Sequence, residues 1–171
     1  MRKLIFVLLF AATPALAQQV NLQSLDKLAS KAKEKAEVNL DESTLKFASG
    51  FMSNKKTDEA TAKQITEGLK GVNVRSYQFE QEGAFTQSDL QHVRDQVKGP
   101  QWSRIVNVQE GKEDTQIWIH HDAEGPDGML IVAVEAKEVT VVNLVGRIDP
   151  SNLRSLGGQL GIPNINTQKK D

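Results

Sequence analysis

No cysteine occurs among the 171 residues. That absence excludes disulfides, thiolate metal sites, a cysteine nucleophile and the acylated cysteine of a bacterial lipoprotein. Histidine is scarce, His92, His120 and His121 being the full set, and they do not form the H-E-x-x-H spacing of a zinc protease. The chain carries neither a G-x-S-x-G nucleophile elbow nor a Walker A sequence, and no cofactor signature. An excess of either charge is missing too, with 21 basic against 22 acidic side chains and a formal net charge of −1. A nucleic-acid binder needs a clustered basic footprint, so no nucleic-acid partner is expected.

Long apolar runs are absent as well. The longest, Leu4 to Ala12, is about half of the ~20 residues that span a bilayer. It follows Arg2 and Lys3 and precedes Ala15-Leu16-Ala17, which together make the charged, apolar and small-residue parts of a secretory leader. Residues 1–17 are therefore expected to be removed after Ala17. The mature chain then has no transmembrane segment and no lipid, and is soluble in the periplasm or outside the cell. It keeps 154 residues, 19 basic and 22 acidic, enough for one domain.

Within that chain Leu22, Leu25, Ala29, Ala32 and Ala36 recur at helical spacing, predicting an amphipathic lead-in helix over residues 18–37 docked on a domain of residues 38–163. Val38 to Leu40 reads as a short strand. Asp41 is placed to cap a helix carrying Leu45, Phe47, Phe51 and Met52, and Thr57 a second helix with Ala62, Ile65 and Leu69 that ends at Gly71. Val72 to Glu80 alternates as a strand. Thr86 and Asp89 have capping-box spacing, with Phe85 and Leu90 at the hydrophobic-staple positions.

After Trp102 the hydrophobic period changes from 3.6 to 2, and four strands are readable: Arg104 to Gln109, Thr115 to His121, Met129 to Ala136 and Val139 to Ile148. Their joints, Glu110-Gly111-Lys112, Gly125-Pro126-Asp127-Gly128 and Lys137-Glu138, are hairpin-short, which forces antiparallel neighbours. Asp149-Pro150 opens a short helix that Gly157-Gly158 ends, and residues 164–171 form a flexible tail. The expected fold is a single α+β domain: a four- or five-stranded, mostly antiparallel sheet with a C-terminal β-meander, helices packed on one face and the last two strands near the centre. Val139 to Val145 is apolar on both sides, so it is covered on both faces or paired at an interface. Asn143 interrupts it, and a buried amide must find partners. A ligand-facing amide is one reading; a tie to the turn that follows is preferred.

His120-His121-Asp122 is the most inviting cluster for metal or acid-base chemistry. Adjacent strand residues point to opposite faces, however, which reads both histidines as ordinary strand-end residues. Asp122, Glu124 and Asp127 lack the order of a calcium loop, and Pro126-Asp127-Gly128 reads as a solvated hairpin tip. Gly157-Gly158-Gln159-Leu160-Gly161 follows a helix instead of opening one, unlike a phosphate-binding loop. No catalytic, cofactor-binding or metal residue is assigned.

Four strings share one further property: Val72 to Phe79 (VNVRSYQF), Gly99 to Val106 (GPQWSRIV), Val141 to Asp149 (VVNLVGRID) and Gly158 to Pro163 (GQLGIP). In this order and spacing the chain resembles the bacterial family called domain of unknown function 4252, over roughly Val38 to Pro163. The resemblance implies a small exported bacterial protein in an envelope-side, regulatory setting, and supplies no site residues to carry over.

Two function classes follow. The first is a non-catalytic cell-envelope binding or regulatory module, whose partner is an envelope protein or a second copy of the chain. The second is a periplasmic, hydrolase-like enzyme with a dispersed active site, to which convergence of Arg75, Tyr77, His120, His121 and Asp122 in one pocket would point. The sequence leans to the first. Intact-mass measurement on protein recovered from the producing cells is expected to give a chain starting at Gln18; retention of residues 1–17 refutes the leader.

Overall fold

The computed structural model describes residues 19–49 and 68–148. In chain order a 3₁₀ turn, Gln23–Leu25, runs into α1 (Asp26–Ala29), followed by β1 (Glu34–Asp41), α2 (Glu42–Ser49), β2 (Leu69–Gln78), α3 (Gln87–Asp95), β3 (Trp102–Glu110), β4 (Glu113–Asp122), β5 (Gly125–Val134) and β6 (Glu138–Gly146). The strands make one sheet in the order β1-β2-β6-β5-β4-β3. Every neighbouring pair is antiparallel. The meander expected after Trp102 is β3 to β6, and β5 and β6 occupy the middle of the sheet.

Six strands form among the described residues, not four or five. The physical reason lies in β6, where Val139, Val141, Val142, Asn143 and Leu144 are all buried; such a strand needs a partner on each edge as well as cover on each face. β5 supplies one edge. β2 supplies the other, in a register running from Tyr77 opposite Val139 to Val72 opposite Leu144, and β1 extends the sheet beyond β2.

Helices lie on both faces, a second departure from expectation. On one face Tyr77, Trp118, Leu130, Val132 and Val141 pack with Leu25, Leu28, Leu90 and Val93 from the N-terminal segment and α3. On the other, Val72, Ile117, Ile119, Ile131, Val142 and Leu144 pack with Leu45 of α2. Ile131, Val142 and Leu144 are at most 2% exposed, so no bare apolar sheet face is left at the centre.

The lead-in helix is much shorter than its periodicity suggests. Helical structure ends at Ala29, and from Glu34 the chain is strand. Lys33 N–H donates to the Gln78 carbonyl at 2.8 Å, and eight residue pairs follow, from Glu34 opposite Gln78 to Asp41 opposite Gly71. Helix propensity separates ordinary residues by only about 0.7 kcal/mol or less each. A ladder that occupies the backbone groups of a whole strand outweighs it. By the same competition Leu69 and Gly71 belong to β2 and not to a helix end. The leader, Phe51 and Met52, Thr57 to Ile65, the helix after Asp149-Pro150, the loop at Gly157 and the tail lie outside the described residues.

Two helix starts form as the sequence predicts. Asp41 Oδ1 accepts from Thr44 N–H and from the Ser43 hydroxyl, both at 2.7 Å. Thr86 N–H donates to Asp89 Oδ2 at 2.8 Å, closing the capping box of α3. Among the described residues no helix is long and apolar enough to cross a membrane.

Asn143 is fully buried. Its Oδ1 accepts from Val20 N–H and its Nδ2 donates to the Met129 carbonyl, each at 3.1 Å. The amide thus ties the N-terminal segment, not the following turn, to the central strand. Asn143→Leu keeps the volume but strands two buried backbone groups at roughly 1–3 kcal/mol each. The variant is expected to lose about 2–6 kcal/mol of unfolding free energy in urea titration, with faster amide exchange at Val20; unchanged stability and exchange refute this role.

Candidate functional site

The five ionisable residues whose convergence would mark a reaction centre are split up. Arg75 and Tyr77 share one face of β2, next to the β1 edge. His120 stands on β4, separated from β2 by β6 and β5. His121 follows it beyond a register shift. Asp122 is at the hairpin end, in a surface ion pair. Tyr77 is fully buried, its hydroxyl has no hydrogen-bond partner, and burial pushes its pKa up.

His120 is not an ordinary strand-end residue. It is 2% exposed, and its Nδ1–H donates to Asp127 Oδ1 at 2.6 Å, with Asp127 equally buried. Asp127 was expected in a solvated turn; instead the turn is Ala123-Glu124, and residues 125–128 begin β5. His120 pairs with Gly128 and His121 with Pro126, so Asp127 is the extra residue of a β-bulge. A bulge re-aims a side chain, and proline and positive-φ glycine suit one; Gly125 has φ 128°. His120 Nε2 has no partner, and the Trp102 ring closes over the imidazole at 5.1 Å, edge to face. Sequence reasoning missed this pair; the clue was Pro126 standing three residues ahead of the apolar run that starts at Met129.

Beside it, Arg147 clamps the β4–β5 hairpin. Its guanidinium bonds Asp122 at 2.7 and 2.8 Å and Glu124 at 2.7 Å, while Asp122 Oδ1 also accepts from Glu124 N–H at 2.8 Å and Gly125 N–H at 3.1 Å. The acidic turn is a cation clamp made by the chain itself. Among the described residues no group of three His, Asp or Glu side chains is placed to hold a metal ion.

A polar cleft of about 360 Å³ opens where residues 19–23 cross the sheet near β1 and β2, lined by Asn21, Gln23, Asn39, Asn73 and Arg75 among others. The register places Asn39, Asn73 and Asn143 opposite one another on β1, β2 and β6, a row of three amides on one face. Asn143 holds Val20 at the inner end. At the outer end Asn39 Oδ1 accepts from Arg75 Nη1 at 2.9 Å, and the same nitrogen donates to the Val74 carbonyl at 3.0 Å.

The two sheet edges differ. β1 presents Glu34, Lys35 and Glu37, the charged defence usual on an edge. β3 exposes Ile105 and Val108, at 53% and 46%, and among the described residues no strand pairs with its outer side.

Hydrogen bonding from Arg147, the main cause, holds the Asp122 carboxyl down to about 2. A depressed folded-state pKa means that the bond stabilises the hairpin above the ordinary carboxylate value and is lost as pH falls through about 2. Arg147→Gln is expected to return the Asp122 carboxyl toward its ordinary value near ~3.9 in an NMR titration; an unmoved titration refutes the assignment.

Residues 29–156 match the family described as Domain of unknown function (DUF4252). No curated protein matches the chain, and no solved structure does. The matched span begins before β1 and takes in all six strands, the His120–Asp127 bulge and the amide row. The chain belongs to the family Domain of unknown function (DUF4252).

Proposed function

We propose that this is an exported bacterial protein, cleaved after Ala17, that works in the cell envelope as a non-catalytic binding and regulatory module, through pairing of its β3 edge with a second copy of itself. The observation that carries this reading is the unprotected edge. Ile105 and Val108 project from a strand whose outer backbone groups have no partner among the described residues, and such an edge is a template for strand addition. Separation of the five ionisable candidates onto different strands supports binding over turnover.

The sequence of β3 is complementary to itself. In an antiparallel two-fold pairing centred on Asn107, Val106 of each copy stands beside Val108 of the other. These two residues share a face, since they oppose Ile117 and Thr115 of β4. Arg104 and the Glu110 of the other copy fall at the same end of the joined strands. Apolar cross-strand pairs contribute roughly 0.2–1 kcal/mol each, and the backbone ladder gives the rest.

Because the chain has no cysteine, one introduced thiol reports on the contact. Asn107→Cys is expected to form a disulfide-linked dimer under mild oxidation, while Glu37→Cys on the β1 edge stays monomeric. Val108→Lys is expected to weaken self-association by about tenfold or more in sedimentation or light scattering, with folding stability within about 0.5 kcal/mol of the parent. A strict monomer in which Asn107→Cys does not crosslink overturns the proposal. So does a purified protein that hydrolyses an envelope substrate.

A further inference from the structure

The cleft beneath residues 19–23 has a chemistry that the edge-pairing reading does not use. Arg75 is only partly exposed, yet among the described residues no carboxylate lies within ion-pair distance of its guanidinium. Nη1 is fixed by Asn39 and by the Val74 carbonyl. Nε is sealed without a partner, and Nη2 makes no hydrogen bond. Asn39 spends its oxygen on Arg75, so its Nδ2 is left to donate. Asn73, the next amide in the row, makes no side-chain hydrogen bond and lines the same cleft. Arg75 Nη2 and Nε and Asn39 Nδ2 are therefore donors without acceptors among the described residues, around one half-buried positive charge. Such a group is costly to leave unmatched away from water.

We infer that this cleft is a binding site for a small polar molecule carrying a carboxylate, with Arg75 Nη2 and Asn39 Nδ2 as donors to the carboxylate oxygens and the Asn73 amide as a second contact. One guanidinium matches the single charge of a carboxylate, and planar charge-assisted bonding favours it. The volume of about 360 Å³ lies at the lower end of small-ligand sites, roughly 300–1,000 Å³, which suits a molecule the size of a dipeptide. Asn39 is the positioning residue, since it holds Nη1 and so orients the guanidinium. Glu37, directly opposite Arg75 in the β1–β2 register, is the intramolecular competitor, although the two form no ion pair.

The test is an NMR titration of the exported protein with N-acetylglycylglycine, its C-terminal amide and inorganic phosphate. Saturable shifts at Asn39, Asn73 and Arg75 are expected with the acid and not with the amide. Arg75→Gln is expected to weaken binding by about tenfold or more, and Glu37→Gln, which leaves the donors intact, to strengthen it. Equal response to acid and amide, preference for phosphate, binding that persists in Arg75→Gln, or no saturable shift at these residues overturns the proposal. Failure here leaves β3 pairing untouched, because the cleft adjoins β1 and β2 at the other side of the sheet.

Discussion

β6 is a strand that must be dry on every side. Val139, Val141, Val142 and Leu144 point to alternate faces and are each at most 1% exposed. Burying an aliphatic side chain of this size contributes roughly 1.5–3 kcal/mol, so the strand favours any arrangement that covers both faces and occupies both edges. That demand accounts for the architecture. β5 arrives by a tight hairpin, β2 comes from far away in the chain to take the other edge, and apolar layers close on both sides.

Covering one of those faces brings in the N-terminal segment, and there a polar group is needed among the apolar ones. Val20, Leu22, Leu25 and Leu28 add apolar surface to the core, but the backbone at Val20 belongs to no strand ladder. Asn143 answers it from the sheet while its own amide nitrogen is satisfied by Met129. Buried donors and acceptors are tolerated only in such closed accounts. The remaining two amides of the row lie nearer the β1 edge, where they line the cleft with residues 19–23.

The two edges of the sheet differ in chemistry. The β1 edge carries mixed charges and borders the donor-rich cleft. At the other end, β3 is largely exposed and keeps aliphatic side chains at its rim, a liability that natural sheets usually suppress. The proposed ligand chemistry at one side and the proposed strand pairing at the other are compatible, since they lie at opposite edges of the sheet.

Local signals were legible wherever neighbours in sequence decide the outcome. The Asp41 and Thr86–Asp89 caps, the change of period after Trp102, the antiparallel meander and the two-sided burial of Val139 to Leu144 all rest on side chains within a few residues of each other, and each formed as read. Residues 34–37 and 69–71 were misread as helical because their strand partners lie 30 residues or more away, and propensity is too weak to resist a ladder that periodicity does not reveal. Likewise the turn residues Pro126-Asp127-Gly128 named a break in regularity but not its kind. Only the register of β4 against β5 turned Asp127 inward onto His120. The row of Asn39, Asn73 and Asn143 is the same lesson in its sharpest form: three amides scattered over 105 positions become one feature because antiparallel pairing sets them side by side. Local patterning was enough to tell which segments are apolar on one side or two, where the caps of α2 and α3 stand, and that the last four strands follow one another as hairpins. Tertiary structure alone decided which distant residues meet, because strand register is set by the burial of whole faces and not by any local preference.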